Sequence, residues 1–381
     1  MNKSLRSTDL NPTHMIPKGY ISMLSSASRK SCLAWDSSDE RQRRAFHGRR
    51  NSAMANMPED IADRTPYQNI LYEKDPEDDR LVRITLNRPE RMNALSYDLL
   101  MDLRHAVIQG ERDPEVKVII IKGAGKTFSA GFDLGGSPSF TEGITPLMAE
   151  KDHIRYYHQD VWFTIWNLQK PVIAQVHGYA LAGASELAFM CDFTIISDNA
   201  VTGYPPLRTF SVPDTFYWPW LCGIKKAKYL SMTATPITGK EAADIGLATM
   251  SVPEDELEER VALVAKRLAM IPSELLFLNK YACNRSMEMM GMRTAMDFVG
   301  KLHDLSHTFE STREFFKVSK EEGLRAALEW RDGKFGDDYR NLRKTATEKG
   351  TDFSFPQALS MPEVKEALEK FEAERKKQGQ V

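Results

Sequence analysis

Residues 170–200 read KPVIAQVHGYALAGASELAFMCDFTIISDNA, and this stretch decides the fold. The apolar run Val172 to Val176 predicts a buried strand, and a turn that contains Gly178 and Gly183 follows it. The residues after Gly183 favour a helix, and the run DFTIISD predicts another strand. A strand, a glycine turn, a helix and a second strand in this order indicate a β/α repeat.

The same alternation extends in both directions between Ile70 and Ala200. Strand-like runs (RLVRITLN, VKVIIIKG) alternate with helix-like runs (SYDLLMDLRHAVIQG, DHIRYYHQDVWFTIWNLQ), which predicts an α/β core with largely parallel strands. Beyond Lys225 the sequence becomes helical. We therefore predict a disordered N-terminal extension over 1–66, a core over 67–255, a helical region over 256–336 and a charged extension over 337–381.

Composition limits the function classes. The 381 residues are 42% hydrophobic and 27% charged, which allows one large core or two ordinary ones. The formal net charge of -2 gives no general attraction to nucleic acid or to an anionic membrane. The four cysteines lack metal-site spacing and are too sparse for a disulfide framework, which favours a reducing compartment. No apolar run reaches the ~18 residues of a membrane span.

The N-terminal extension is rich in Arg and Ser and could act as an organelle transit peptide. The alternative is an upstream start codon or a simple tail, with Met54 or Met57 as the working start. We expect a cytoplasmic protein, or a mitochondrial matrix protein if the extension is a transit peptide.

A second glycine turn lies in VIIIKGAGKTFSAGFDLGG, residues 118–136. A nucleotide-binding P-loop would need glycine at position 120, where the chain has Ile120. Three glycines in the six residues 131–136 also argue against a helix that follows at once and caps a phosphate. The P-loop interpretation is therefore disfavoured.

Each glycine turn offers a backbone amide. Gly183 lies near a helix N-terminus, where an amide has no partner within the helix and the helix dipole is positive. Two such amides, one from each turn, could stabilise a developing oxyanion. Glu186, one helical turn further on, is either an acid/base group or a glutamate that favours the helix dipole.

These residues carry a resemblance. TLNRPERMNALSYDLLMDL, KTFSAGFDL, the 170–200 stretch and ITGKEAADIGLATMSVPEDEL occur in the order found in the enoyl-CoA hydratase/isomerase (crotonase) superfamily, and the match covers roughly residues 67–336. The resemblance implies an α/β fold with a ββα-superhelix (spiral) core that binds acyl-CoA and a C-terminal helical oligomerisation region. It also implies a trimer or hexamer, and no metal or redox cofactor, since coenzyme A enters with the substrate.

By position, the resemblance assigns the two oxyanion-hole amides to Phe132 and Gly183, and the acid/base role to Glu186. It places the Asn93 to Leu95 turn at the adenine end and the 132–135 stretch along the pantetheine. The implied substrate-binding residues are Asn93, Ala94, Leu95, Ala130, Phe132, Asp133, Leu134, Gly135 and Gly183. Without the resemblance, the Asn93 segment reads as a plain capped turn before a helix.

The side-chain chemistry departs from the family pattern. A hydratase of this family usually pairs two glutamates, and the second position falls on Pro206. Asp214, eight residues later, lies at the offset where the family's dienoyl isomerases and aromatic dehalogenase use a carboxylate. Asp214 therefore either replaces the missing glutamate or caps the helix after Pro213.

Other residues have simpler interpretations. His177 is expected to make a hydrogen bond at a strand end, and His153 or His158 could face the substrate. FYWPW, residues 216–220, is core or subunit contact, or an aromatic wall around a cyclic acyl group.

The sequence thus predicts an enzyme that hydrates or isomerises enoyl-CoA, with no nucleic-acid or membrane partner. Two alternatives stay open. One is C–C hydrolysis or isomerisation of a bulky or cyclic acyl-CoA that uses Asp214. The other is a non-catalytic acyl-CoA-binding subunit.

Overall fold

A computed structural model of the chain describes residues 64–134, 158–336, 344, 347, 348 and 362–377. Its strands are β1 (Ile70–Lys74), β2 (Leu81–Leu86), β3 (Val118–Gly123), β4 (Val172–Val176), β5 (Tyr179–Leu181), β6 (Phe193–Ser197), β7 (Val201–Gly203), β8 (Ile237–Thr238) and β9 (Met250–Val252). Its helices are α1 (Tyr97–Arg112), α2 (Asp160–Asn167), α3 (Gly183–Met190), α4 (Trp218–Thr233), α5 (Gly239–Asp244), α6 (Leu257–Ala269), α7 (Ser273–Met289), α8 (Met292–Ser306), α9 (Glu310–Glu322), α10 (Leu324–Asp332) and α11 (Pro362–Lys377).

The main sheet has six strands in the order β1-β2-β3-β4-β6-β9. Only β1 and β2 are antiparallel within this sheet, and every other neighbouring pair is parallel. A parallel pair needs a crossover connection, usually a helix, and α3 supplies the one between β4 and β6. The largely parallel core predicted from the alternation is therefore present.

Strand β3 is buried on both faces of the sheet. Ile119 and Ile121 belong to the main core, and Val118 and Ile120 belong to a second core on the other face, where α6 packs. A strand covered on both sides reads as a continuous apolar run, which explains the VIII sequence. The chain leaves this rigid strand directly into the first glycine turn.

A second sheet, in the order β5-β7-β8, holds the other glycine turn. Two isolated parallel bridges, Leu95 with Phe132 and Ser129 with Ala180, connect the loop after β3 to its neighbours. Ser129 donates its amide hydrogen to Tyr179 O (2.9 Å). The two glycine turns are thereby held side by side although they are distant in sequence.

The described residues beyond Lys225 are mainly helical: they include the end of α4 and helices α5 to α11, with only the short strands β8 and β9 between them. Helix α7 has no fully buried residue, and Leu275, Leu278 and Tyr281 on it are about half exposed (51%, 57% and 49%). No helix among the described residues is both long and apolar enough to span a bilayer.

Candidate active site

The amide of Phe132 is presented by the turn after β3. Leu95 donates its amide hydrogen to Gly131 O (2.8 Å) and accepts one from Asp133 N (3.1 Å). In such a parallel bridge the intervening residue directs its own N–H to the opposite side. The Phe132 N–H has no hydrogen-bond acceptor in the described part of the chain.

Glycine is required immediately before Phe132. Gly131 has φ 97°, in the left-handed region, and a Cβ atom on it would lie 2.6 Å from Leu181 O. The turn can approach β5 this closely only without a side chain.

The amide of Gly183 begins α3, and it too has no acceptor among the described residues. The preceding residue, Ala182, has φ 50° and ψ -127°, a conformation that a non-glycine residue adopts only under strain. Its N–H donates to Gly203 O (2.9 Å), and its carbonyl accepts from Ser185 N (2.9 Å) and Ser185 Oγ (2.7 Å). These bonds fix the strained residue and with it the direction of the Gly183 amide.

The Glu186 carboxyl group is completely buried in the first turn of α3. Its Oε1 accepts two hydrogen bonds from Thr215, one from the backbone N (2.8 Å) and one from Oγ1 (2.8 Å). Its Oε2 receives no hydrogen bond from any described donor. A glutamate that merely favoured the helix dipole would remain in contact with solvent, which this one does not.

Asp214 is also completely buried and lies beside Glu186. Its Oδ2 is 2.8 Å from Nδ1 of His158, and its backbone carbonyl accepts from Gln159 Nε2 (2.8 Å). It does not cap α4, which begins at Trp218 without any side-chain cap. Asp214 is therefore held as a member of the buried carboxyl pair.

The surroundings of the two carboxyl groups shift their pKa values in opposite directions. Burial and the negative charge of Asp214 raise the pKa of Glu186 well above its ordinary value. Burial alone would raise the pKa of Asp214, but hydrogen bonds from Glu186 and His158 outweigh it and lower that pKa. These opposite shifts favour the protonated form of Glu186 and the ionised form of Asp214.

Two amides without acceptors, next to a buried pair of carboxyl groups, can polarise a carbonyl and move protons near it. The family model for enoyl-CoA hydratase/isomerase matches residues 77–338 of the chain. The chain belongs to the enoyl-CoA hydratase/isomerase family. The predicted crotonase-type fold and the prediction of an enzyme of this family are thereby confirmed.

Relatives within the enoyl-CoA hydratase/isomerase family are moderately similar. A crotonyl-CoA hydratase from Syntrophomonas wolfei is 36% identical over 226 residues, covering 58% of this chain and 84% of the relative. A short-chain-enoyl-CoA hydratase from Clostridium acetobutylicum is 34% identical over 224 residues, covering 58% and 82%.

Solved structures show the same likeness. An enoyl-CoA hydratase/isomerase from Xanthobacter autotrophicus superposes with a TM-score of 0.65 at 35% identity, over 71% of this chain and 99% of that one. An enoyl-CoA hydratase from Mycobacterium smegmatis gives a TM-score of 0.68 at 30% identity, over 73% and 98%.

Pro206, which the resemblance predicts to lie at the second glutamate position, forms part of a turn. It lies buried in the 3-10 turn Pro205–Arg208, and its carbonyl accepts the amide hydrogens of Thr209, Phe210 and Ser211. The turn leads the chain back to Asp214.

Two of the side chains expected to contact acyl-CoA already bond to other groups of the protein. The Asn93 side chain is buried and already bonded to Arg88 N, Ala124 O and Thr127 O, so it stabilises its own turn. Asp133 forms a 2.9 Å ion pair with Arg88. The substrate-binding assignment stays a prediction for all the expected residues, of which Gly135 lies outside the described residues.

The three histidines singled out in the sequence differ in their outcomes. His177 Nε2 donates to Gly125 O (3.0 Å), as expected of a strand-end residue, and His153 lies outside the described residues. His158 is brought into the site. Gln159 and Thr215 were not predicted from the sequence, because the residues that they contact, Asp214 and Glu186, are distant from them in the chain.

Proposed function

We propose that this protein catalyses the reversible addition of water to an enoyl-CoA thioester. The observation that carries the proposal is the completely buried pair of carboxyl groups, Glu186 and Asp214, beside two backbone amides that have no acceptor among the described residues. Hydration requires a base to activate water and an acid to protonate the α-carbon, and this pair supplies one of each.

In the proposed reaction, the thioester oxygen accepts hydrogen bonds from the N–H groups of Phe132 and Gly183. Each donor of this kind contributes about 2.7–4 kcal/mol to stabilising a developing oxyanion. The polarised double bond is then attacked at the β-carbon by water while Asp214 takes the water's proton. Glu186 delivers its own proton to the α-carbon.

This step leaves Asp214 protonated and Glu186 ionised. Because the two carboxyl groups lie beside each other, the proton can return from Asp214 to Glu186 before the next turnover. No redox or metal step enters this scheme, and the described residues contain no cluster of three or more His, Cys, Asp or Glu side chains suited to a metal. The substrate's coenzyme A would run from the 93–95 turn along residues 132–135.

The wider organisation is also part of the proposal. The core over 67–255 would bind acyl-CoA, and the helices of 256–336 would form a homotrimer or homohexamer. The protein would act in the cytoplasm, or in the mitochondrial matrix if residues 1–66 are a transit peptide. No nucleic-acid or membrane partner is proposed.

Pro206 favours a second candidate. A family member without the usual second glutamate could instead shift a double bond, or hydrolyse a C–C bond, in a bulky or cyclic acyl-CoA. The Glu186 and Asp214 pair would then move one proton between two carbons, or activate water at a carbonyl group.

The experiment follows the absorbance of the conjugated thioester in crotonyl-CoA and longer enoyl-CoAs. Hydration removes the absorbance and adds the mass of one water to the product, while isomerisation leaves the mass unchanged. Inactivity on every enoyl-CoA, with tight acyl-CoA binding, would instead support a non-catalytic binding subunit.

A further inference from the structure

His158 contacts both halves of the candidate site. Its buried ring stacks on the ring of Phe132, with centroids 3.9 Å apart and planes 15° apart. Its Nδ1 lies 2.8 Å from Asp214 Oδ2. One side chain therefore connects the turn that presents an amide with the pair that moves protons.

The acceptor of that hydrogen bond is held in place. Gln159, the next residue, donates through Nε2 to the backbone carbonyls of Asp214 (2.8 Å) and Met296 (3.4 Å). His158 and Gln159, which immediately precede α2, thus hold Asp214 by its side chain and by its backbone carbonyl. A change at residue 158 would alter the side-chain bond while Gln159 keeps the backbone position.

The carboxyl groups of Glu186 and Asp214 receive their short hydrogen bonds from different side chains. Both hydrogen bonds from Thr215 go to Glu186, and its hydroxyl lies 3.5 Å from Asp214 Oδ1. The short bond to the Asp214 side chain from outside the pair comes from His158. A carboxylate buried without such a donor would hold the proton itself, because burial disfavours the charged form.

We propose that His158 is a positioning residue that fixes Asp214 as the ionised member of the pair and so makes Glu186 the proton donor. The inference rests on the proposed function for its kinetic consequence. The hydrogen bond from His158 to Asp214 is present in the free protein, so its effect on the two carboxyl groups can be tested without substrate.

Other ionisable groups also face Asp214. These are Glu186 on α3, His303 on α8, and the buried phenols of Tyr204 and Tyr217. Burial lowers the pKa of His303 to about 4, so it is neutral near pH 7, and its Nδ1 donates to Val212 O (2.5 Å). These groups are retained in every variant below except Glu186→Gln.

Three substitutions separate the roles of the ring. His158→Asn places an amide donor near the position of Nδ1, His158→Phe keeps the stacking and removes the donor, and His158→Gln extends the donor beyond that position. Losing a charge-assisted hydrogen bond should move the acid limb of the kcat/KM profile up by about one to two pH units. We expect this shift in the Phe and Gln variants but not in the Asn variant.

An infrared titration without substrate supplies an independent readout. The protonated Glu186 should give a carboxylic-acid carbonyl band that is missing in Glu186→Gln. In His158→Phe and His158→Gln the pH dependence of the carboxylic-acid bands should change, and a band from protonated Asp214 should appear. His158→Asn should retain the wild-type titration.

The two proposals fail in different ways. If the protein does not hydrate enoyl-CoA, the infrared titration still tests the role of His158. If it hydrates enoyl-CoA but the Phe and Gln variants keep the wild-type acid limb and carboxyl bands, His158 has only a packing role. An equal shift in all three variants would likewise overturn the inference, because the donor would then be irrelevant.

Discussion

The phenyl ring of Phe132 lies so close to the Cα atom of Gly183 that a Cβ atom built there would be 2.2 Å from the ring. Real Cβ atoms do not approach other atoms this closely, so either the ring or the helix start would have to move. The two residues that present the candidate amides thus limit each other's position.

Gly183→Ala should therefore lower turnover by about 10²-fold or more, since it displaces one amide of the pair. Steady-state kinetics on the native substrate measure this loss. The double variant Phe132→Ala with Gly183→Ala removes the clash and keeps both N–H groups, so it should recover part of the turnover. Equal losses in the single and double variants would mean that the clash is not the cause.

Glu186→Gln should lower kcat by about 10²–10⁴-fold while acyl-CoA binding is kept, because the amide retains the shape and cannot deliver the proton. Kinetics and isothermal titration with a saturated acyl-CoA measure the two effects. Glu241→Gln is a matched control, since Glu241 is a buried glutamate in the capping box of α5. Unchanged turnover in Glu186→Gln would exclude the proposed role.

The same substitution should stabilise the protein at higher pH. Glu186 has a raised pKa in the folded state, so its favourable contribution is complete below the unfolded-state pKa and is lost as the pH rises towards the folded-state pKa. Glutamine does not titrate. In that window, the variant's advantage in free energy of unfolding should grow by up to about 1.4 kcal/mol per pH unit.

Urea denaturation at several pH values tests this trend. Asp214→Asn should show the opposite one, because Asp214 has a lowered pKa and its contribution is lost as the pH falls. Parallel pH dependence in the wild type and both variants would contradict the assignment of the proton.

Asp214→Asn should lower turnover by about 10²-fold or more, because the amide cannot accept a proton from water. It also removes the negative charge that helps to raise the pKa of Glu186, so the alkaline limb of the pH profile should move to lower pH. Wild-type turnover in this variant would leave Glu186 as the acid/base group without Asp214.

The exposed apolar residues of α7 should lie between subunits. Light scattering at micromolar concentration should give a trimeric or hexameric mass, and Leu278→Asp should reduce it. Leu263→Asp on α6 is the control, since Leu263 is similarly exposed (56%) and α6 covers the far face of the main sheet. A monomeric wild-type mass would refute this prediction.

The fold could be predicted from the sequence because the patterns that determine it lie in short, local stretches. Strand β3 is apolar on both faces, and the glycine turns are marked by residues that alone tolerate those backbone positions. Phe132, Gly183 and Glu186 could be proposed for the same reason, since each occupies a fixed place in a short turn.

The partners of those residues could not be read from the sequence. Thr215 contacts Glu186, and His158 contacts Asp214, only after α2 and the 209–217 loop have packed against α3. The positive φ of Ala182 could not be predicted either, because alanine rarely adopts such a backbone conformation. Such features depend on tertiary contacts, which no single window of sequence contains.

The conformation of Ala182 separates inactivation from unfolding. Its backbone is held against its own preference by the bond to Gly203 on β7 and by the first turn of α3, at a cost of about 1–3 kcal/mol. Loosening of the short β5 to β7 pairing would let this residue relax and turn the Gly183 amide aside while the main sheet stayed intact. On heating, the protein should therefore lose its activity at a lower temperature than its helical circular-dichroism signal.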